Sequence, residues 1–277
     1  MEKRIWLITG ISSGLGKEIA EKVMLNGDFV VGTFRQSSQV SAFNKENNGS
    51  AFAIKMDVAD ANEVQKAIEL ITEKFGRVDV LVNNAGFGIA GAVEETSEEE
   101  TRKVFEANFY GALRMTQGIL PLMRKQKAGH IIQISSHSGF KSFPGFGIYS
   151  ASKFALEGFS EAVAIETAPL GIKVTIVEPG PFRTDFAGRS FALAAREIAD
   201  YAGTAGVFRQ KIKGVDGKQE GDPKKAAQAI FDLVGLENPP LRLPLGKIAV
   251  GTLQAKLDSV QKDVDGFREI AESVVFE

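Results

Sequence analysis

Thr9-Gly10-Ile11-Ser12-Ser13-Gly14-Leu15-Gly16 closes the first apolar run of the chain, Ile5-Trp6-Leu7-Ile8. It opens an amphipathic stretch that continues through Ile19, Ala20 and Val23. A strand that turns on glycines into a helix aims free N–H groups and the positive end of the helix at one point, which suits a pyrophosphate. The glycines allow the tight turn and a close backbone approach. Their spacing is Gly-x-x-x-Gly-x-Gly, not the Gly-x-Gly-x-x-Gly of the commoner dinucleotide fingerprint. Alone, such a turn also arises for geometry only, so its meaning depends on its surroundings.

Outward from it, short apolar runs alternate with longer amphipathic ones. Arg4 to Gly10, Asp28 to Arg35, Ala51 to Val58, Val78 to Gly86, His130 to Ser136 and Lys173 to Gly180 read as buried strands. Asp60-Ala61-Asn62-Glu63 and Ser97-Glu98-Glu99-Glu100 are capping boxes, and Asp222-Pro223 sets a cap residue before a proline suited to a first helical turn. Strand and helix in alternation imply a parallel sheet covered on both faces, with ligands bound beyond the strands' C-terminal ends. No repeat, low-complexity tract or linker divides the chain, so residues 1–277 are expected to form one α/β domain.

The alternation lapses from Asp185 to Gly221, where Phe186, Phe191, Tyr201 and Phe208 lie among alanines, glycines and lysines. A segment of that length is either a lid or a pair of helices covering core. At the end of the chain, 248–277, Val250, Leu253, Leu257, Val260, Val264, Phe267 and Val274 recur by threes and fours with one longer gap. That is one apolar face of a long helix, expected to dock on its own domain, with a subunit contact as the alternative.

With 44% hydrophobic and 25% charged residues the chain is neither disordered nor built for a membrane. A net charge of −2 with scattered charges offers no stripe for nucleic acid. There are no cysteines and only two histidines, His130 and His137, so thiolate ligands are excluded and no metal site is expected. The N-terminal apolar run is too short for a signal peptide or anchor, and a cytoplasmic location follows as the expectation.

The glycine turn, Asn83-Asn84-Ala85-Gly86 at the end of the fourth strand, Asn108 in the next helix, Ser136 at the end of the fifth strand, Tyr149-Ser150-Ala151-Ser152-Lys153, and Pro179-Gly180 with Thr184 occur in one order on the expected elements. In this the chain resembles the single-domain branch of the short-chain dehydrogenase/reductase family. The stretch Glu178-Pro179-Gly180-Pro181-Phe182-Arg183-Thr184 and the long tail are similar to the branch near 17β-hydroxysteroid dehydrogenases. The resemblance implies a Rossmann-type, doubly wound, seven-stranded parallel sheet in the order 3-2-1-4-5-6-7, with Leu241 to Gly246 as its last strand. It implies Asn108, Ser136, Tyr149 and Lys153 as catalytic residues. Gly10, Ser12, Ser13, Gly14, Leu15, Gly16, Arg35, Asp57, Val58, Asn84, Ala85, Gly86, Tyr149, Lys153, Pro179, Gly180, Phe182 and Thr184 would contact the cofactor. A homo-oligomer, dimer or tetramer, is also expected.

Physical chemistry supports the same roles. Tyr149 and Lys153, four apart on a helix, share a face. A phenol with an ordinary pKa of about 10 exchanges protons near neutrality only if a nearby cation favours phenolate, and Lys153 supplies one. Ser136, at a strand's C-terminal end, can hold a substrate oxygen, although Ser135 and Ser138 offer the same chemistry. By resemblance, Asn108 anchors a water leading to Lys153. His137 titrates near neutrality if exposed, and is read as a loop residue.

The second strand ends Val30-Val31-Gly32-Thr33-Phe34-Arg35, with no acid to bond the ribose hydroxyls of NAD. Phe34 stands where NAD-preferring members carry aspartate. Arg35 offers a fork to a 2′-phosphate, which selects NADP(H) over NAD(H). NADP-preferring relatives often have a basic residue just before the second glycine, and here it is Ser13. The expected activity is hydride transfer between the cofactor and an apolar carbonyl or alcohol. The rivals are an isomerase or lyase that keeps its cofactor, whose larger C-terminal domain is missing, and a redox sensor, which would typically lack the tyrosine or lysine.

Overall fold

The computed structural model describes residues 3–188, 190–215 and 217–276. Along the chain come β1 (Ile5–Ile8), α1 (Gly14–Leu25), β2 (Phe29–Phe34), α2 (Ser37–Glu46), β3 (Ala51–Lys55), α3 (Ala61–Phe75), β4 (Val80–Asn83) and β5 (Gly88–Ala90). There follow α4 (Glu98–Phe105), α5 (Gly111–Gln126), β6 (Gly129–Ile134), α6 (Gly147–Thr167), β7 (Ile172–Pro179), β8 (Phe191–Leu193), α7 (Val207–Val215), α8 (Pro223–Val234), β9 (Arg242–Leu245) and α9 (Lys247–Glu272).

Seven strands form one parallel sheet in the order β3-β2-β1-β4-β6-β7-β9, the doubly wound arrangement expected. Side chains alternate across it as the strand period requires. Leu7, Val31, Leu81 and Ile131 pack on one face with Val64, Ile68 and Ile71 of α3 and Met115, Ile119 and Met123 of α5. Trp6, Ile8, Val30, Val82 and Ile132 pack on the other with Ile19 and Val23 of α1 and Ile230 and Leu233 of α8. Two helix starts are capped as read: Ser97 forms a capping box with Glu100, and Asp222 accepts from Lys224 and Lys225. At α3 Asp60 accepts from the amides of Asn62 and Glu63, but the box expected there does not close, because the Glu63 carboxylate accepts from the Asp57 amide and pairs with Lys55.

Three features differ from the sequence reading. Asn108 lies in a π-turn, Glu106–Tyr110, that joins α4 to α5, not in an α-helix. The segment after Thr184 is neither a bare loop nor a helix pair. It holds β8, which pairs with β5 in a second, two-stranded parallel sheet, then a π-turn, Ala202–Gly206, leading into α7. The expected docking of the last helix holds only at its start. Ala249 and Leu253 are buried, while every residue from Leu257 to Glu272 is exposed, because the body of the domain ends before the helix does. Among the described residues no helix is long and apolar enough to cross a membrane.

Candidate active site

The glycine turn is held from below by β4. Asn84 Nδ2 donates to the carbonyls of Thr9 (2.9 Å) and Gly10 (3.0 Å), and the amides of Asn84 and Ala85 both donate to Thr9 Oγ1. Gly10 and Gly14 have φ of 71° and 59°, the left-handed region. At Gly16 a Cβ would sit 2.3 Å from Asn84 Nδ2 and 2.5 Å from the Gly10 carbonyl, so only glycine fits. Ser13, at the N-cap of α1, makes no side-chain capping bond, which leaves the first-turn N–H groups available to an anion. Thr184 faces Gly14 across the crevice. An uncapped helix end over a cradle that a side chain would fill suits the pyrophosphate of a dinucleotide.

At the ends of β2 and β3, Arg35, Lys55 and Asp57 line one open depression. Sequence reading passed over Lys55, whose ammonium is tied to Glu63. Arg35 is exposed and has no ion-pair partner among the described residues. Val58 packs against Gly111, the Gly180 amide is spent on Leu245, and the Phe182 ring lies against Gly221. Phe34 is buried, 5.3 Å from the Phe43 ring.

Tyr149 and Lys153 lie on the first turns of α6, both buried. Lys153 Nζ donates to the Ile134 carbonyl at 2.8 Å and stands 5.9 Å from the centre of the Tyr149 ring. Burial pulls the ammonium down to a pKa of about 8, against the pull of the Glu157 charge. Burial also pushes the Tyr149 phenol above its ordinary value, with a hydrogen bond to Ser136 acting the other way. Burial is thus the dominant effect on the phenol, and the protein's own groups keep Tyr149 protonated at neutral pH.

Of the three serines, Ser136 is the one that meets Tyr149; its Oγ also accepts from the Ser138 amide at 3.0 Å. Ser135 turns to Glu157. Asn108 holds the backbone of Phe87 through both ends of its amide and donates to Ser152 Oγ, bridging the π-turn to α6. Gly86 is squeezed beneath it, since a Cβ there would lie 2.7 Å from Asn108 Oδ1. His137 is half-buried beside Phe143 with Nδ1 3.2 Å from Thr252 Oγ1, and desolvation lowers its pKa to about 4, so it is neutral at physiological pH.

An aromatic wall flanks the phenol. Phe146 stacks on Tyr149 at 4.2 Å and touches Phe191 and Phe208, and Phe186 lies 5.8 Å from Tyr149. The small β5–β8 sheet fixes this wall, and Gly88 makes the room: a Cβ there would lie 2.8 Å from the Phe191 ring. Three of the four aromatics noted in the 185–221 segment join the wall. Tyr201 instead donates to Glu94 at the surface. Phe146 was missed, although its i−3 spacing from Tyr149 was a signal. The segment is pinned by Arg209, which pairs with buried Glu95 at 3.3 Å and donates to the carbonyls of Ala194 and Arg196.

The sequence pattern that defines the short chain dehydrogenases matches residues 4–193. The chain belongs to that family. It is an oxidoreductase of the kind that uses a nicotinamide cofactor. It is 41% identical to the 3-ketodihydrosphingosine reductase of Bacteroides thetaiotaomicron over 262 residues, 94% of this chain and 93% of that protein. A short-chain dehydrogenase from Streptomyces avermitilis superposes with a TM-score of 0.93 at 42% identity, covering 99% of this chain and 100% of that one. ElxO, solved with NADP, is more distant, with a TM-score of 0.71 and 28% identity over 87% of this chain and 96% of its own. A Burkholderia phymatum structure with NAD shares the fold at 22% identity and a TM-score of 0.82 over 95% of each chain.

Behind the candidate site of this dehydrogenase lies a charged cluster that sequence reading did not find. Arg242 of β9 pairs with Glu178 of β7 at 2.6 Å and with Glu157 and Glu161 of α6, and its guanidinium covers the Phe140 ring at 5.1 Å. Glu178 is fully buried and Glu157 nearly so. Burial raises both carboxyl pKa values and their mutual repulsion adds to this at Glu178, while Arg242 opposes it. Glu157, one turn after Lys153, links the cluster to that lysine. That spacing was the one available sign of it.

Proposed function

We propose that this short-chain dehydrogenase moves hydride between NADP(H) and a bulky apolar ketone, or the alcohol it forms. The observation that carries the reading is the wall of Phe146, Phe186, Phe191 and Phe208 around a buried, protonated Tyr149. The cofactor supplies the hydride in reduction and takes it back in oxidation. Ser136 donates a hydrogen bond to the carbonyl oxygen, and Tyr149 gives that oxygen its proton. Lys153 stabilises the phenolate left behind and binds the nicotinamide ribose. Asn108 holds the π-turn against α6 and anchors the water through which the proton returns. Residues 185–221 act as a lid over an apolar substrate.

The similarity to a 3-ketodihydrosphingosine reductase and the steroid-dehydrogenase-like Glu178 to Thr184 stretch both favour a large apolar substrate. The test is NADPH oxidation with 3-ketodihydrosphingosine, a 17-ketosteroid and acetone. One of the two large ketones is expected to exceed acetone in kcat/KM by about a hundredfold or more, since each buried methylene adds about 0.8 kcal/mol. A preference for acetone would remove the aromatic wall from the account.

The choice of NADP(H) rests on Arg35, the unpaired cation beside Asp57. A charge-assisted contact contributes about 1.5–3 kcal/mol, so Arg35→Ala should weaken NADPH binding by about tenfold to a hundredfold. NADH binding should hardly change. Fluorescence titration of both cofactors measures this, and equal losses for the two would mean that Arg35 does not read the 2′-phosphate. Arg35 is the position to vary alone, because an aspartate at Phe34 would have to enter a buried site against Phe43.

A further inference from the structure

A buried ammonium keeps its charge only if something holds it there. Lys153 is almost out of reach of water, and burial favours its neutral form. The bond from its Nζ to the Ile134 carbonyl does not decide the matter, since a neutral amine donates it as well. What favours the ammonium is the charge of Glu157, one turn further along α6 and therefore on the same face.

Glu157 is itself buried, and the cluster behind it decides that it is the charged acid. Burial disfavours the carboxylates of Glu157 and Glu178 alike. At Glu157 this is opposed by Ser135, by Arg242 and by a hydrogen bond from Glu178. At Glu178 only Arg242 opposes it, and the charge of Glu157 adds to it. Glu157 therefore ionises first, and Glu178 keeps its proton longer. Gly139 permits the arrangement, because a Cβ there would lie 2.5 Å from Ser135 Oγ and 3.0 Å from Glu157 Oε1.

The other ionisable groups on the elements packed against α6 are committed elsewhere. His137, in the turn after Ser136, and His130 on β6 are neutral, and Lys173 on β7 donates to the Leu236 carbonyl. In the π-turn Glu106 pairs with Arg114, and on α4 Arg102 and Lys103 pair with Glu98 and Glu99 at the surface. Glu161, a turn beyond Glu157 on α6, is half exposed and meets only the far side of the Arg242 fork. Among the described groups, Glu157 is the one whose charge acts on Lys153.

We propose that Glu157 is a positioning residue for the reaction: fixed by Arg242 and Ser135, its carboxylate holds the Lys153 ammonium charged beside Tyr149. This role rests on the proton donation by Tyr149 proposed above. When the Tyr149 O–H bond breaks and its proton passes to the substrate oxygen, the phenolate left behind then faces a cation and not a neutral amine. Glu157 serves the transfer without touching substrate or cofactor.

The titration of Lys153 in the full chain without cofactor tests this independently of any substrate. With isotope-labelled lysine ε-carbons, its NMR signal is the one lost in Lys153→Met. Glu157→Gln keeps the size of the side chain and removes its charge. It should lower the midpoint of that signal by about one pH unit, a roughly tenfold loss in the ratio of ammonium to amine in mild base. Glu157→Asp should restore part of it, and Glu161→Gln should leave it in place. If Glu157→Gln does not fold, Glu157→Gln with Arg242→Met removes the charge together with its cation, and the same fall is expected. In NADPH oxidation with a ketone that the wild type reduces, the alkaline limb of kcat should move to lower pH by a similar amount. An unmoved Lys153 midpoint, an equal fall in Glu161→Gln, or a uniformly slower enzyme whose limb stays in place would each overturn the proposal. If the wild type reduces no ketone, the reading of its function fails, and the NMR titration still decides whether Glu157 holds the charge of Lys153.

Discussion

Arg242→Met should destabilise the protein by about 3–5 kcal/mol near pH 8, because it strands two buried carboxylates without their cation. Glu178 has no exposure to water and Glu157 almost none, so neither can rehydrate when the guanidinium is gone. Both already hold their protons more tightly than in the unfolded chain. A carboxyl whose folded pKa is raised costs nothing below the unfolded value; the cost grows as pH rises from the unfolded to the folded value and is complete above it. Removing Arg242 raises both further. The loss should therefore be largest in mild base and shrink on acidification, as the two carboxyls take up protons in the folded state. Adding Glu178→Gln should restore part of it at the higher pH. Urea unfolding at two pH values and in both variants measures this, and a loss independent of pH would mean that Arg242 acts by packing on Phe140 alone.

The cluster also shows where reading the sequence stops. The strand, glycine turn and helix at residues 4–23 were legible because each depends on neighbours in the chain: apolar run, positive-φ glycines, then an amphipathic repeat. Tyr149 and Lys153 were legible for the same reason, as one helical turn. Arg242 meets Glu157 and Glu178 across 85 and 64 residues, and nothing local marks their encounter. The π-turn at Asn108 was read as ordinary helix because its apolar spacing is nearly helical. The β5–β8 sheet was missed because three-residue strands carry no usable period, and its cause is a glycine at 88 that admits a ring from residue 191. For the last helix the period was read correctly, but the docking expected along its length holds only at Ala249 and Leu253, since periodicity marks an apolar face and not what meets it.

Lysine and tyrosine present a subtler case. Their shared face suggested that Lys153 would lower the Tyr149 pKa, yet burial raises the phenol, only the Ser136 hydrogen bond opposes it, and the ammonium stands 5.9 Å from the ring centre with one of its three N–H groups on the Ile134 carbonyl. The protonated phenol is the form that a reduction needs.

Tyr149→Phe is the substitution that tests this account most directly, in single-turnover NADPH oxidation with a ketone that the wild type reduces, alongside a fluorescence titration of NADPH. The ring stays stacked on Phe146, and what is lost is the hydroxyl with its transferable proton and its bond to Ser136. The rate should fall by about 10²–10⁴ while cofactor affinity stays within a few fold. A variant that binds NADPH and keeps near-normal rates would show that the proton comes from elsewhere.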